Sequence, residues 1–361
     1  MRIRRLSYHE RMRNRQTILA LALLLIGINA CAPGPSKRQL ELVWPLPPDQ
    51  PKIKFVDIIR TNLDLEKKGG LAEAIFGEER AEGFQKPYGV AVDKDGKIYV
   101  TDINRVFVLD LKKKDYDFIG NEPGVGQLRN AIGIAIASDG RVFVTDVSAA
   151  RLYVYRNGKY AEAIGEKGEF ASPSGVALDE KNGLIYVTDT RYHTVKIFSL
   201  LDYKHIRDIG KNGSGIGEFN FPTNIAVDAE GKFYVVDTGN FRVQIFGKDG
   251  QFIRAIGVPG DMPGSFARPK GIAIDSEEHI YVVDTAFQNF QIFDQTGKIL
   301  LAVGSGGTDP GQFLLPAGMT IDDQDKIYVV NQIPGTVQIF QYLGEKWKEK
   351  MEQTGEAADK K

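Results

Sequence analysis

The segment YVVDTGNFRVQIF (234–246) returns, with variations, as LIYVTDTRYHTVKIF (184–198), IYVVDTAFQNFQIF (280–293) and IYVVNQIPGTVQIF (327–340). In each, two runs rich in β-branched and aromatic residues flank a short polar turn, the pattern of two strands and a tight connection. A hairpin used once is a local detail. A hairpin that returns at a near-fixed interval dictates an architecture, because each copy can bury its apolar faces only against its neighbours. Aligned on the residue that ends the second strand, the copies fall at Asp102, Asp146, Asp189, Asp237, Asp284 and, in the last, Asn331. A further apolar strand precedes each one: GVAVD (89–93), GIAIA (133–137), GVALD (175–179), NIAVD (224–228), GIAID (271–275) and GMTID (318–322). Polar turns such as KDGK (94–97) and AEGK (229–232) join it to the second strand as a hairpin.

A third strand follows, then an outer segment ending in Ile119-Gly120, Ile164-Gly165, Ile209-Gly210, Ile256-Gly257 or Val303-Gly304. Spacings of 43 to 48 residues thus hold four strands, one propeller blade. The expected fold is all-β: a six-bladed β-propeller of four-stranded antiparallel blades. Alternating apolar residues such as Val90, Val92 and Tyr99 are expected to fill the space between neighbouring sheets. The sixth copy lacks an outer strand, and KIKFVDIIR (52–60) has the alternation to supply it. A ring closed by both chain ends has no free edge there. LAEAIFG (71–77) mimics the Ile-Gly ending and competes for that place, but its start reads as a short helix.

Phe219, Pro222, IAVD, FYVVDTGNFRVQIF and the later Gly-x-Phe resemble the NHL-repeat family, over residues 84 to 341. The resemblance implies a propeller. It leaves function open, because that family includes protein- and RNA-binding modules, extracellular sensors and a few enzymes.

The chain ends differ from the repeats. Six arginines (Arg2, Arg4, Arg5, Arg11, Arg13, Arg15) precede an uncharged run from Thr17 to Ala30, too short in its apolar part to span a membrane. That is the layout of a secretory signal over residues 1–30. Ile28-Asn29-Ala30-Cys31 resembles a bacterial lipobox, which implies lipidation of Cys31, the sole cysteine. Ordinary cleavage after Ala30 and an uncleaved anchor are the alternatives. Ala32 after the cysteine implies outer-membrane sorting if the organism is Gram-negative. Residues 31–50, rich in proline, read as a tether, 51–343 as the propeller and 344–361 as a charged, solvated tail of one or two helical turns. Removing the leader takes 46 basic and 47 acidic residues to 40 and 46, a formal charge of −6. That balance argues against bulk electrostatic binding of nucleic acid.

In such blades, the segment before the inner strand and the turn after the second strand share one face, the default ligand surface by family analogy. The residue before each inner strand gives a column: Tyr88, Ile132, Ser174, Thr223, Lys270, Ala317. The next column is Gly89, Gly133, Gly175, Asn224, Gly271, Gly318, which calls for positive φ or close packing. Asn224 stands out there as a structural substitute or a polar group near the axis. Where the copies differ, Arg191, Tyr192, His193, Phe241, Phe287 and Gln288 join Tyr88, Asn224 and Lys270 as candidate binding-face residues.

The acidic column is read as structural, since five copies of one residue are what a repeat needs rather than what one active site needs. Asp102, Asp146, Asp189, Asp237 and Asp284 are expected to accept backbone N–H bonds across the turn. Arg105, Arg151 and Arg242 are expected to complete this clasp. No catalytic set is recognised. His193, His205 and His279 occupy different repeat positions, unlike the clustered histidines of a zinc lyase. The sequence therefore points to a propeller without catalysis or cofactor, binding an envelope or membrane-complex protein and tethered by lipid. The resemblance also admits a metal-dependent hydrolase or lyase, with a divalent cation near the axis, or a small-ligand sensor.

Overall fold

A computed structural model describes residues 42–65 and 81–354. The signal segment, Cys31 and the 71–77 competitor lie outside the described residues. Every blade starts at the axis and steps outward through antiparallel neighbours. Blade 1 holds Val90–Val92, Ile98–Asp102, Arg105–Asp110 and Asp115–Ile119. Blade 4 holds Pro222–Val227, Phe233–Asp237, Arg242–Phe246 and Phe252–Ile256, and blades 2, 3 and 5 repeat the order.

Blade 6 takes Pro316–Ile321, Lys326–Asn331 and Thr336–Tyr342 from the C-terminal part of the chain, and Ile53–Ile59 as its outer strand. The ring is closed by the segment the alternation indicated. Ile53 opposes Tyr342 and Ile59 opposes Val337, with a shift between Phe55 and Asp57. The stretch read as a tether contributes more than expected. Val43–Trp44 pairs with Ile53–Lys54 as a fifth strand, and the Trp44 ring lies 5.7 Å from Phe340. The tail also exceeds one or two turns: Glu345–Thr354 is a ten-residue helix. Its first N–H donates to Glu277 and Lys346 reaches the Asp323 carbonyl, so its start is held on the propeller.

Apolar alternation puts one side chain set on each face of a blade, and each set meets that of the next blade. Val90, Val100 and Phe107 pack with Tyr328 and Val330 between blades 1 and 6. Tyr186 and Val195 pack with Phe233 and Val235 between blades 3 and 4, where the Tyr186 and Phe233 rings stack at 4.8 Å. Burying each of these side chains contributes roughly 1.5–3 kcal/mol, so the blade interfaces form the core.

Hydrogen bonds also run around the ring. Thr101, Thr145 and Thr188 donate from Oγ1 to the Ile132, Ser174 and Thr223 carbonyls of the following blade, at 2.7, 2.6 and 2.9 Å. Thr238 and Thr285 reach the Pro269 and Pro316 carbonyls, and the Gly318 N–H reaches Tyr88 O, which returns the circuit to blade 1. The glycine column lies along this circuit, and close packing rather than positive φ explains it. A Cβ on Gly89 would stand 2.5 Å from Ile132 O, and one on Gly175 would stand 2.7 Å from the Asn224 Cα.

Candidate functional site

The start of each inner strand pairs with the end of the second strand, as Pro222 does with Asp237. This brings the segments 85–88, 129–132, 171–174, 220–223, 267–270 and 314–317 to the same end of the disc as the turns after the second strands. The repeated aspartates lie beneath these segments and organise them. Each is buried. Asp102 accepts from the N–H groups of Gln85 and Lys86, Asp146 from Arg129 and Asn130, and Asp284 from Ala267 and Arg268. Asp189 and Asp237 receive the equivalent bonds from Ala171 and Asn220. These carboxylates anchor the loop before the inner strand as well as the turn, and backbone donors already engage them.

The arginine half of the expected clasp forms only in blade 4, where Arg242 Nε is 2.9 Å from Asp237. Arg105 pairs instead with Glu82 at 3.0 Å, and Arg151 donates to the Ala150 and Glu166 carbonyls. Both guanidinium groups turn away from the aspartate toward partners nearer the outer loops.

Three of the nine candidate binding residues meet at the axis. Tyr88 comes from blade 1, Asn224 from blade 4 and Lys270 from blade 5. Asn224 Nδ2 donates to Tyr88 Oη at 3.4 Å, and Lys270 Nζ lies 5.4 Å from the centroid of the Tyr88 ring. Ser174 and Arg268 stand close enough to influence the Tyr88 phenol, and burial holds its pKa above the ordinary value. Lys270 is pushed down to about 8, first by burial and then by the positive charges of Arg268 and Lys86. Below the glycine ring, a cavity of ≈ 280 Å³ runs between the inner strands, walled by residues such as Val90, Ile134, Val227 and Ile274.

The remaining candidates spread around the rim. Tyr192 is exposed, donates to the Gly168 carbonyl and carries Lys196 Nζ at 5.5 Å from its ring centroid. Arg191 is exposed beside it. His193 Nδ1 accepts from the Phe221 N–H, with the two rings 4.9 Å apart. Phe241 is half-buried on the core between blades 4 and 5. Phe287 is also half-buried, and Gln288 donates to the Leu314 carbonyl. His205 and His279 pair with Asp208 and Asp275 respectively. Among the described residues, no three His, Cys, Asp or Glu side chains form a metal-holding group.

Sequence reasoning missed Lys86, Phe221 and Arg268. All three lie two residues before the column that holds Tyr88, Thr223 and Lys270, so the same alignment, read two residues earlier, contains them. It also missed a charge pattern. The six pre-strand segments and the six turns after the second strands contain no Asp or Glu, but they carry Lys86, Arg129, Arg191, Arg268 and Lys270. None of these five makes an ion pair with a described residue. Carboxylates such as Glu122, Glu166 and Asp261 stand farther out, in the loops from the outer strands. On the opposite face, the turns after the inner strands carry Asp95, Asp139, Glu180, Glu230, Glu277 and Asp323.

A family model described as SMP-30/Gluconolactonase/LRE-like region matches residues 49–267. The chain belongs to this family. A second model, described as a 6-bladed beta-propeller, matches residues 276–350. The NHL repeat-containing protein 3 of Mus musculus is 33% identical to this SMP-30-type propeller over 85 residues, 22% of this chain and 24% of the relative. Protein lin-41 of Caenorhabditis elegans is 53% identical over 47 residues, 13% of this chain and 4% of that protein. The chain thus spans about a quarter of the mammalian relative it matches. Among solved structures, a catalytically inactive virginiamycin B lyase from Staphylococcus aureus with quinupristin aligns with TM-score 0.53 at 17% identity, covering 71% of this chain and 94% of the lyase. An auxiliary nutrient binding protein from Bacteroides thetaiotaomicron aligns with TM-score 0.57 at 14% identity, covering 72% of this chain and 70% of that one. At these identities the likeness concerns the fold.

Proposed function

We propose that this SMP-30-type propeller is a lipid-anchored, extracytoplasmic docking module that binds a partner protein of the cell envelope through the face bearing Tyr88, and that it acts without catalysis. The observation that carries the reading is the composition of that face. Its inner part presents unpaired cations and exposed apolar groups, Ile103, Tyr192, Phe221 and Ile333, while its repeated carboxylates are buried under backbone donors. Aromatic and arginine side chains in this arrangement are favoured interface anchors. The lipobox-like Ile28-Asn29-Ala30-Cys31 supports the anchored placement.

The divalent cation implied for catalytic propellers does not fit this axis. The groups that meet there are a phenol, an amide, a hydroxyl and a lysine, with two further cations nearby, whereas such ions seek several carboxylate or carbonyl oxygens. We therefore derive no metal-assisted step.

The test is in-cell crosslinking of the full-length chain beside a variant carrying Arg191→Ala, Tyr192→Ala and Phe221→Ala, side chains lying outside the blade cores. A discrete envelope protein captured by the wild type and lost from the folded, membrane-associated variant is the expected result. Undiminished capture by the variant overturns the assignment of this face.

A further inference from the structure

We propose that the recess where Tyr88, Ser174, Asn224 and Lys270 meet is a socket for the oxyanion of a small molecule, a carboxylate or a phosphoryl-type group. The site lies on the docking face described above, but anion binding there requires no partner protein.

The donor set suits an oxyanion. The Tyr88 phenol stays protonated, because burial raises its pKa, and its oxygen already accepts from Asn224 Nδ2 at 3.4 Å. Its O–H is therefore available to donate. The Lys270 ammonium stands over the same ring at 5.4 Å from the centroid, and the Ser174 hydroxyl is close enough to act on the phenol. Phenol O–H, serine O–H, amide N–H and ammonium are the donors an oxyanion uses, and their charge-assisted bonds are stronger than neutral ones.

The local field has the matching sign. Arg268, two residues before Lys270, and Lys86, two before Tyr88, both act on the lysine with the same sign. Blade 6, which lies between blades 5 and 1, contributes Leu314, Leu315, Pro316 and Ala317, with no titratable group. Ser174 from blade 3 and Asn224 from blade 4 are uncharged, and Ile132 from blade 2 is apolar. Thus, with the Asp102 and Asp284 carboxylates beneath engaged by backbone N–H groups, Lys270 shares the site with two exposed cations, Arg268 and Lys86. Crowding them around a half-buried recess costs free energy that a bound anion returns.

Proton linkage distinguishes this socket from scattered surface attraction. An anion favours the protonated lysine, so binding raises the Lys270 pKa from about 8 and takes up protons near that pH. Affinity is then highest below about pH 8 and falls as pH rises through it.

Isothermal titration of the full-length chain with sulfate and with glutarate tests the inference, because neither probe changes charge across this window. Buffers of different ionisation heat read the proton uptake. The expected result is binding of at least one probe, with proton uptake near pH 8 and weakening above it. Lys270→Met should reduce affinity by about tenfold or more, the scale of one charged hydrogen bond. Tyr88→Phe should reduce it by a smaller factor, while urea titration confirms that both variants are folded. Sulfate alone binding points to a phosphoryl-type ligand, glutarate alone to a carboxylate, and both to a general oxyanion site. No binding by the wild type, or binding that Lys270→Met leaves unchanged, overturns the proposal. Arg191, Tyr192 and Phe221 are untouched in these variants, so the socket and the docking face fail or stand separately.

Discussion

Asp284 shows how a single repeated residue holds the functional face without taking part in it. One carboxylate oxygen accepts from the Ala267 N–H, 17 residues upstream, and the other from the N–H groups of Ala286 and Phe287 in the following turn. The loop that presents Arg268 and Lys270 is thereby tied to the turn beside it. Asp284→Ala would leave these buried donors without an acceptor, at a cost on the order of 3 kcal/mol. Blade 6 shows which substitution is gentler: Asn331 accepts the Leu314 and Leu315 N–H bonds through Oδ1 alone, at 3.2 and 2.9 Å. Asp284→Asn is therefore expected to lose about half as much, since one acceptor oxygen remains. Urea titration of both variants checks this. Equal losses would mean that charge, and not the count of acceptor oxygens, governs the clasp.

Within one blade, strand order was legible because period-two apolar patterning and polar turns are local signals. The Asp column was legible as structural, but its long reach across 16 or 17 residues was not, because that depends on how the outer loop returns over its own blade. Likewise Thr101 and Thr145 look like ordinary strand residues until the following blade supplies a carbonyl. Two of the three arginines departed from the expected clasp for the same reason, while Arg242 kept it: Arg105 found Glu82, a partner that no comparison of repeats exposes. Closure was legible because a missing fourth strand must be replaced. The Ile53–Ile59 strand supplies it, with Ile53 fully buried among Tyr342, Phe340 and Phe313. Ile53→Asp places an unpaired charge in that interface and should release the strand. The uncovered edge at Thr336–Tyr342 then offers free backbone groups for association. Light scattering should show concentration-dependent oligomers for Ile53→Asp and none for Lys54→Asp, whose strand position is half-exposed. Monomers from both would mean that the closing strand is dispensable.

At the scale of the whole disc, the cations gathered at the inner part of one face leave a trace in stability as well as in binding. Lys270 is the clearest case, because its folded pKa of about 8 lies below its ordinary 10.5. Between these values the unfolded chain binds a proton that the folded chain does not, so stability rises with pH across the window. Below about pH 8 both states are protonated, and the full penalty of holding the charged lysine beside Arg268 and Lys86 remains. The phenols of buried Tyr234, Tyr281 and Tyr328 and of half-buried Tyr99 act in the opposite sense. Burial and the neighbouring carboxylates raise their pKa values, so the unfolded chain loses those protons first and stability falls above about pH 10. A stability profile of the wild type alone mixes the two effects. The difference between wild type and Lys270→Met cancels the tyrosines, which lie in the blade cores and are common to both. That difference should shrink in favour of the wild type from pH 8 to pH 10, read by urea titration at each pH. Saturating sulfate or glutarate should flatten it, since an anion in the recess removes the reason for the lysine's low pKa. A flat difference without any anion would mean that Lys270 is solvated in the folded chain, and the axial recess would lose its claim to be more than a charged surface.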